Sequence, residues 1–185
     1  GLGDVYKRQT RTASAARPST AANAVTATTI RIRAIEPHGP LFEGAIAVYG
    51  DAFAEPPYSD LDRGREVRAR IRDTHRYRKG FRFLIAESAD GAVCGMAYGY
   101  HGEDGQWWHD AVARWIGPRV AAEWLSDAYE VVEVAVAPAA QGRGVGTALV
   151  TSLLHGLTER TAVLSTRTDS RAHELYARLG FEYLA

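Results

Sequence analysis

The sequence predicts a mixed α/β fold, a single sheet carrying helices on both faces. Three observations predict it. Two β-prone runs, Phe81 to Glu87 and Val93 to Tyr100, flank the turn Ala89-Asp90-Gly91 and read as an antiparallel hairpin. Later β-prone runs are separated by helix-compatible segments, which read as βαβ-like crossovers. With 185 residues, 46% hydrophobic and 24% charged, the chain has material for one core and does not demand a second domain.

The elements follow in order. Thr29 to Ile35 alternates apolar and charged residues as a half-buried strand does. Leu41, Phe42, Ala45, Val48, Tyr49, Ala52 and Phe53 recur at helical spacing until Pro56-Pro57 stops the helix. A second helix is predicted over Asp60 to His75, with Leu61, Gly64, Val67 and Ile71 on one stripe and charged residues over much of the rest. After the hairpin comes an aromatic-rich excursion at about 101–128, holding Trp107, Trp108, Trp115 and Trp124. Tyr129 to Ala137 is a strand, and the segment from Gly144 to about Leu157 a helix presenting Val145, Leu149 and Leu153 to the sheet. Thr161 to Ser165 is a strand, Ser170 to Arg178 a short helix stopped by Gly180, and Phe181 opens a last extended segment.

Residues 1–27 differ from the rest. Ala, Ser and Thr dominate from Thr10 onward, and GLGDVYKRQ resembles adapter-derived sequence at the ends of translated reading frames. A disordered or non-native leader is therefore expected there, before one domain over residues 28–185. It holds no apolar run of signal-peptide or membrane length, so a cytoplasmic location and no membrane partner are the expectations. Lysine plus arginine equal aspartate plus glutamate, which gives no global argument for nucleic acid. Cys94, the single cysteine, excludes an intramolecular disulfide and reads as a small core side chain. His155 and His173 have no partners at metal-ligand spacing, so no metal is expected.

The chemistry concentrates in Val131 to Val150, VVEVAVAPAAQGRGVGTALV. A strand, a glycine-rich turn and a helix start succeed one another, and such a unit offers several backbone N–H groups to an anion at the positive end of a helix. Gly142, Gly144 and Gly146 leave room for a bulky charged group or allow positive φ. The turn is neither GxGxxG nor a Walker motif.

Gln141-Gly142-Arg143-Gly144-Val145-Gly146 resembles the Q/R-x-x-G-x-G/A signature of the GNAT superfamily of N-acetyltransferases. Ala135-Val136-Ala137-Pro138 before it and Leu175-Tyr176-Ala177-Arg178-Leu179-Gly180-Phe181 after it match two more landmarks, and the resemblance runs from about Thr28 to the C-terminus. It implies a mostly antiparallel sheet with a splayed strand pair, acetyl-CoA as cofactor, and a pyrophosphate held by Gln141, Gly142, Arg143, Gly144, Val145, Gly146 and Thr147. It further implies that the Val134–Ala135–Val136 segment receives the pantetheine arm, with the Val136 N–H polarising the thioester carbonyl. The resemblance implies transfer to a primary amine of a small molecule or peptide. A coenzyme-A-binding regulatory module without catalysis is the alternative.

Within that frame Tyr176 matches the family's proton donor, though a core tyrosine would fit the same pattern. Glu130 and Glu133 compete as base or amine anchor. Three apart on a strand, they point to opposite faces unless a bulge intervenes. Trp107, Trp108, His109 and Asp110 are either a cation-binding wall or a lid's own small core, and Tyr98 and Tyr100 are candidates to line the same cleft. Asp169 replaces an Asn common in relatives, which puts one coenzyme contact in doubt. Ala185 falls where most relatives continue into another strand, so either the reading frame is shortened or the sheet closes differently; a missing strand would leave an edge that is a candidate homodimer surface.

Overall fold

The computed structural model describes residues 3–10, 30–56, 58–167 and 169–185. Seven strands form one sheet: β1 (Asp4–Gln9), β2 (Arg31–Ala34), β3 (Arg82–Glu87), β4 (Val93–His101), β5 (Ala128–Val136), β6 (Thr161–Thr166) and β7 (Glu182–Tyr183). Their spatial order is β2-β3-β4-β5-β6-β1-β7. Every pairing is antiparallel except β5 with β6.

Helices α1 (Gly39–Ala54) and α2 (Arg63–Asp73) cover one face. Pro40 in the first turn of α1 needs no intrahelical partner for its nitrogen, and Phe42, Ala45, Tyr49 and Phe53 recur on the buried stripe. Gly64 lets α2 approach α1 at Gly50, since a Cβ at Gly64 would lie 3.3 Å from the Gly50 Cα. Leu61 departs from the predicted stripe. The helix begins two residues later, at Arg63, and leaves Leu61 86% exposed.

Helices α5 (Val145–Leu154) and α6 (Ala172–Arg178) accompany the second face, where Val145, Leu149, Leu153 and Tyr176 join Leu84, Ala97, Val131 and Leu164. The excursion folds as α3 (Trp107–Ile116) and α4 (Pro118–Trp124). Val112 and Leu125 from this region pack with Val5, Ala128 and Val163 in a third cluster. Cys94 is partly buried against the second cluster, and burial pushes its thiol up.

Two expectations are corrected here. Residues 4–9 lie inside the stretch expected to be a disordered or non-native leader, yet they form β1. The disorder argument rested on the Ala/Ser/Thr composition from Thr10 onward. DVYKRQ is β-compatible and meets an unpaired strand, so it pairs residue for residue with β6 while Val5 is fully buried. Residues 11–29 lie outside the described residues, and so does that part of the expectation. Of the two alternatives at that edge the missing strand is set aside in the same place, because the sheet closes differently. β7 is only two residues long, but β1 stands between it and β6, so the edge of β6 is covered.

Candidate active site

The site is built on the separation of β5 from β6. These strands pair only over Ala128–Glu130 and Thr161–Val163, and beyond that they part. The Ala137 N–H donates to the Cys94 carbonyl across the other side of β5. Backbone alternation then turns the amides of Val134 and Val136 away from β4, toward the gap. The splayed pair implied by the sequence is present. Ala135 is the correction within that segment: its backbone faces β4 and its methyl is buried in the first core, so it offers the gap nothing.

At the end of β5 the chain enters the glycine turn. Gly142 and Gly144 have φ of 73° and 82°, conformations that a Cβ strains, and open space surrounds both. Gly146 is helical and is needed for a different reason, because a Cβ there would sit 3.2 Å from Leu175 Cδ2. The first helical hydrogen bond of α5 runs from the Ala148 N–H to the Gly144 carbonyl, so the amides of Val145, Gly146 and Thr147 have no helical acceptor. The Val145 side chain is buried, leaving only its amide for a ligand. Gln141 Nε2 donates to the Val136 carbonyl at 3.1 Å and ties the turn to the strand, while Arg143 is exposed. These seven residues lie a short distance along the chain from the cavity and are not among its lining residues.

The cavity holds about 660 Å³ and opens between β5, β6 and the helices. Glu130, Glu133, Val134 and Tyr176 all line it. The two carboxylates share it because β5 is irregular. Tyr98 is opposite Glu133 and Gly99 is opposite Val131, so Val132 is an extra residue. That bulge turns Glu130, which pairs with Tyr100, to the same face as Glu133.

The two are in different settings. Glu133 accepts from Arg70 Nη2 at 3.3 Å and is hydrogen-bonded by Tyr49, whose hydroxyl in turn accepts from Arg63 Nε at 3.0 Å. Burial pushes its carboxyl up, while Arg63, Arg70 and Tyr49 oppose the rise. Glu130 is 4% exposed, and its Oε2 has no hydrogen-bond partner among the described residues. Burial raises its carboxyl to about 8, against the pull of Arg78, with a push from Glu133 and against the Tyr100 hydroxyl. Tyr176 is buried edge-on to Phe181, and burial pushes its hydroxyl well above the ordinary phenol value, so it keeps its proton at neutral pH.

The excursion supplies part of what was expected. Trp107 and Trp108 line the cavity, and Trp108 Nε1 donates to Ser165 Oγ at 2.9 Å. His109 and Asp110 do not line it. The His109 ring is buried with Nδ1 3.5 Å from both Asp104 and Asp110, and Asp110 accepts from the Gly105 N–H, so this pair fastens the start of α3. Tyr100 lines the cavity, whereas Tyr98 is fully buried with its hydroxyl 3.1 Å from His75 Nδ1. Asp169, in the Asn position, binds Arg167 through both oxygens at 2.8 and 2.7 Å.

Sequence reasoning missed the third wall: Phe53, Tyr58, Arg63, Arg70, His75 and Arg78, from α1, the loop after it, α2 and the turn that follows. Arginines on an otherwise polar helix read as surface, and only the packing of α2 shows that some turn inward. His75 is held neutral, pushed down to about 4 by burial and by Arg78 and Arg70.

An acetyltransferase (GNAT) domain family matches residues 79–183 of the chain. A GCN5-like protein acetyltransferase of Mycobacterium tuberculosis is 42% identical over 105 residues, covering 52% of this chain and 51% of that protein. The chain thus spans about half the length of this curated relative. Among solved structures, a GNAT acetyltransferase from Brucella melitensis in complex with acetyl-CoA superposes with a TM-score of 0.55 at 24% identity, covering 85% of this chain and 88% of that one. A protein from Pyrococcus horikoshii reaches a TM-score of 0.58 at 18% identity, covering 83% and 89%. Likeness at that level speaks to the fold, and the family match over residues 79–183 carries the assignment: the chain belongs to the GNAT superfamily of acetyltransferases.

Proposed function

We propose that the protein is an acetyl-CoA-dependent N-acetyltransferase that moves an acetyl group directly to a primary amine of a small molecule or peptide. The observation that carries this reading is the parting of β5 from β6, which frees the backbone of Val134 and Val136 on the gap side, Val134 lining a cavity with Glu130 and Tyr176. The described residues fit the coenzyme. Positive-φ glycines with open space, followed by three helix-start amides without acceptors, suit a pyrophosphate. The relative from Brucella melitensis holds acetyl-CoA on the same fold. Bound here, acetyl-CoA supplies an activated carbonyl and a thiol leaving group.

The chain's own residues divide the remaining work. An alkylammonium, with a pKa of about 10, must lose a proton before its nitrogen can attack. Glu130 takes that proton: it is the carboxylate with an unoccupied oxygen, and its raised pKa brings it closer to the amine's. Glu133, tied to Arg70 and Tyr49, fixes the wall and the charge around it. The Val136 N–H donates to the carbonyl oxygen as that oxygen gains charge. Tyr176 would give its proton to the departing sulfur, and the second proton that the nitrogen sheds on becoming an amide would pass through solvent and restore the tyrosine, leaving the proton on Glu130 as the one released.

A library of primary amines and peptides, with thiol release as readout, tests the proposal. Release with at least one amine is expected. Tight coenzyme binding without release across the library would favour a coenzyme-A-binding regulatory module instead.

A further inference from the structure

The charges on the acceptor side of the cavity do not suit a simple cation. Four arginines line it, against Glu130 and Glu133. Arg167 is neutralised by Asp169, and Arg70 by Glu133. Arg63 and Arg78 have no carboxylate within ion-pair distance among the described residues. Arg63 binds the Tyr49 hydroxyl and lies 4.4 Å over the Phe53 ring, and Arg78 lies 4.4 Å over the Tyr100 ring. Rings on one face hold each guanidinium in place while leaving donor capacity unused. The carboxylate nearest in role, Glu130, is buried with an unpartnered oxygen and carries little charge at neutral pH. His75, between Tyr98 and Tyr100, adds none. The acceptor side is therefore left with two guanidiniums that have no ion-pair partner among the described residues, Arg63 sharing the field of Glu133 with Arg70.

The coenzyme's phosphates do not account for them. The anion-suited turn at residues 141–147 lies outside the cavity lining, whereas Arg63 and Arg78, from α2 and the turn after it, are lining residues.

We infer that the acceptor is an amine that also carries an anionic group, a carboxylate or a phosphate, bound by Arg63 and Arg78. The inference rests on the reading of this cavity as the acceptor site. The anion is held by the arginines, while the amine end lies toward Glu130. Charge-assisted hydrogen bonds from arginine favour planar carboxylate and phosphate oxygens over a neutral group. Without the anion, the two guanidiniums repel the incoming ammonium.

Matched pairs of amines test this. L-phenylalanine is compared with phenethylamine, and O-phosphoethanolamine with ethanolamine, by thiol release from acetyl-CoA. The anionic member of at least one pair should have a kcat/KM about 10- to 100-fold higher, the range of charged hydrogen bonds. Which pair shows it separates carboxylate from phosphate. In Arg78→Gln, checked for native fold by circular dichroism, the preference should collapse toward unity. Equal rates within both pairs, or preference for the neutral members, would overturn the inference and leave the transferase reading intact. Should no amine release thiol, the transferase reading fails separately. Calorimetry on the wild-type coenzyme A complex then decides this one. N-acetylphenylalanine or N-acetylphosphoethanolamine binding more tightly than its uncharged counterpart supports the anion site, and equal affinities overturn it.

Discussion

Replacing Glu130 with glutamine should make the protein more stable and far less active, and the stability gain should depend on pH. Burial raises the native carboxyl from 4.5 to about 8. The folded state therefore keeps a proton that the unfolded chain releases between those two values. Stability is undiminished below about pH 4.5 and falls as pH rises through about 8, because ν for the unfolded state is smaller than for the native one. The gap of about 3.5 units corresponds to about 5 kcal/mol when the window has been fully crossed. The group is only 4% exposed, so solvent screening does not reduce the figure much. Glutamine has no proton to lose. Glu130→Gln should melt near wild type at about pH 5 and about 10–20 °C higher at about pH 9, taking roughly 2–4 °C per kcal/mol for a domain of this size. Differential scanning fluorimetry at a series of pH values measures this directly. A melting difference that stays constant from about pH 5 to 9 would refute the buried, proton-holding carboxyl. In the same variant kcat/KM should fall about 10²- to 10⁴-fold, the usual contribution of a general base. Wild-type kcat/KM should rise with pH through about 8 as Glu130 ionises.

Three further outcomes follow from named contacts. Gly144→Val forces a β-branched residue to φ 82° at the start of α5, and coenzyme A affinity measured by calorimetry should fall roughly tenfold or more, whereas Thr147→Ala should change it little. Tyr176→Phe should lower kcat while leaving the coenzyme dissociation constant nearly unchanged, since its proton is used only as the sulfur departs. A folded Tyr176→Phe protein with full turnover would remove that role. Gly99→Ala would drive a methyl into the Glu130 carbonyl oxygen and the Tyr129 ring beside the bulge, so a stability loss of about 1–3 kcal/mol with impaired turnover is expected by denaturant titration and thiol release.

The same positions show how far the residues alone reach. The turn at Gln141 to Gly146 could be placed after a strand and before a helix from composition and spacing, and the structure has it there. The pairing of Glu130 with Glu133 could not. A spacing of three puts them on opposite faces of a regular strand, and only the extra Val132 reverses this. The one available hint was on the partner strand, where Gly99 interrupts β4 opposite the bulge. Arg63 and Arg78 were equally opaque, because which arginines of a charged helix turn inward depends on how α2 packs against α1. Composition misjudged residues 4–9 for a related reason. Pairing is a property of two strands, and β6, far along the chain, supplies the partner.

The most direct test of transfer from coenzyme to amine is a single turnover read by mass. Protein is mixed with equimolar acetyl-CoA and a productive amine, and intact protein and small molecules are weighed after one cycle. The predicted result is N-acetylated amine, free coenzyme A and unmodified protein, with Glu130→Gln leaving the acetyl group on the coenzyme over the same interval. Acetyl retained on the wild-type protein, or left on bound coenzyme in the presence of every amine tried, would contradict the account.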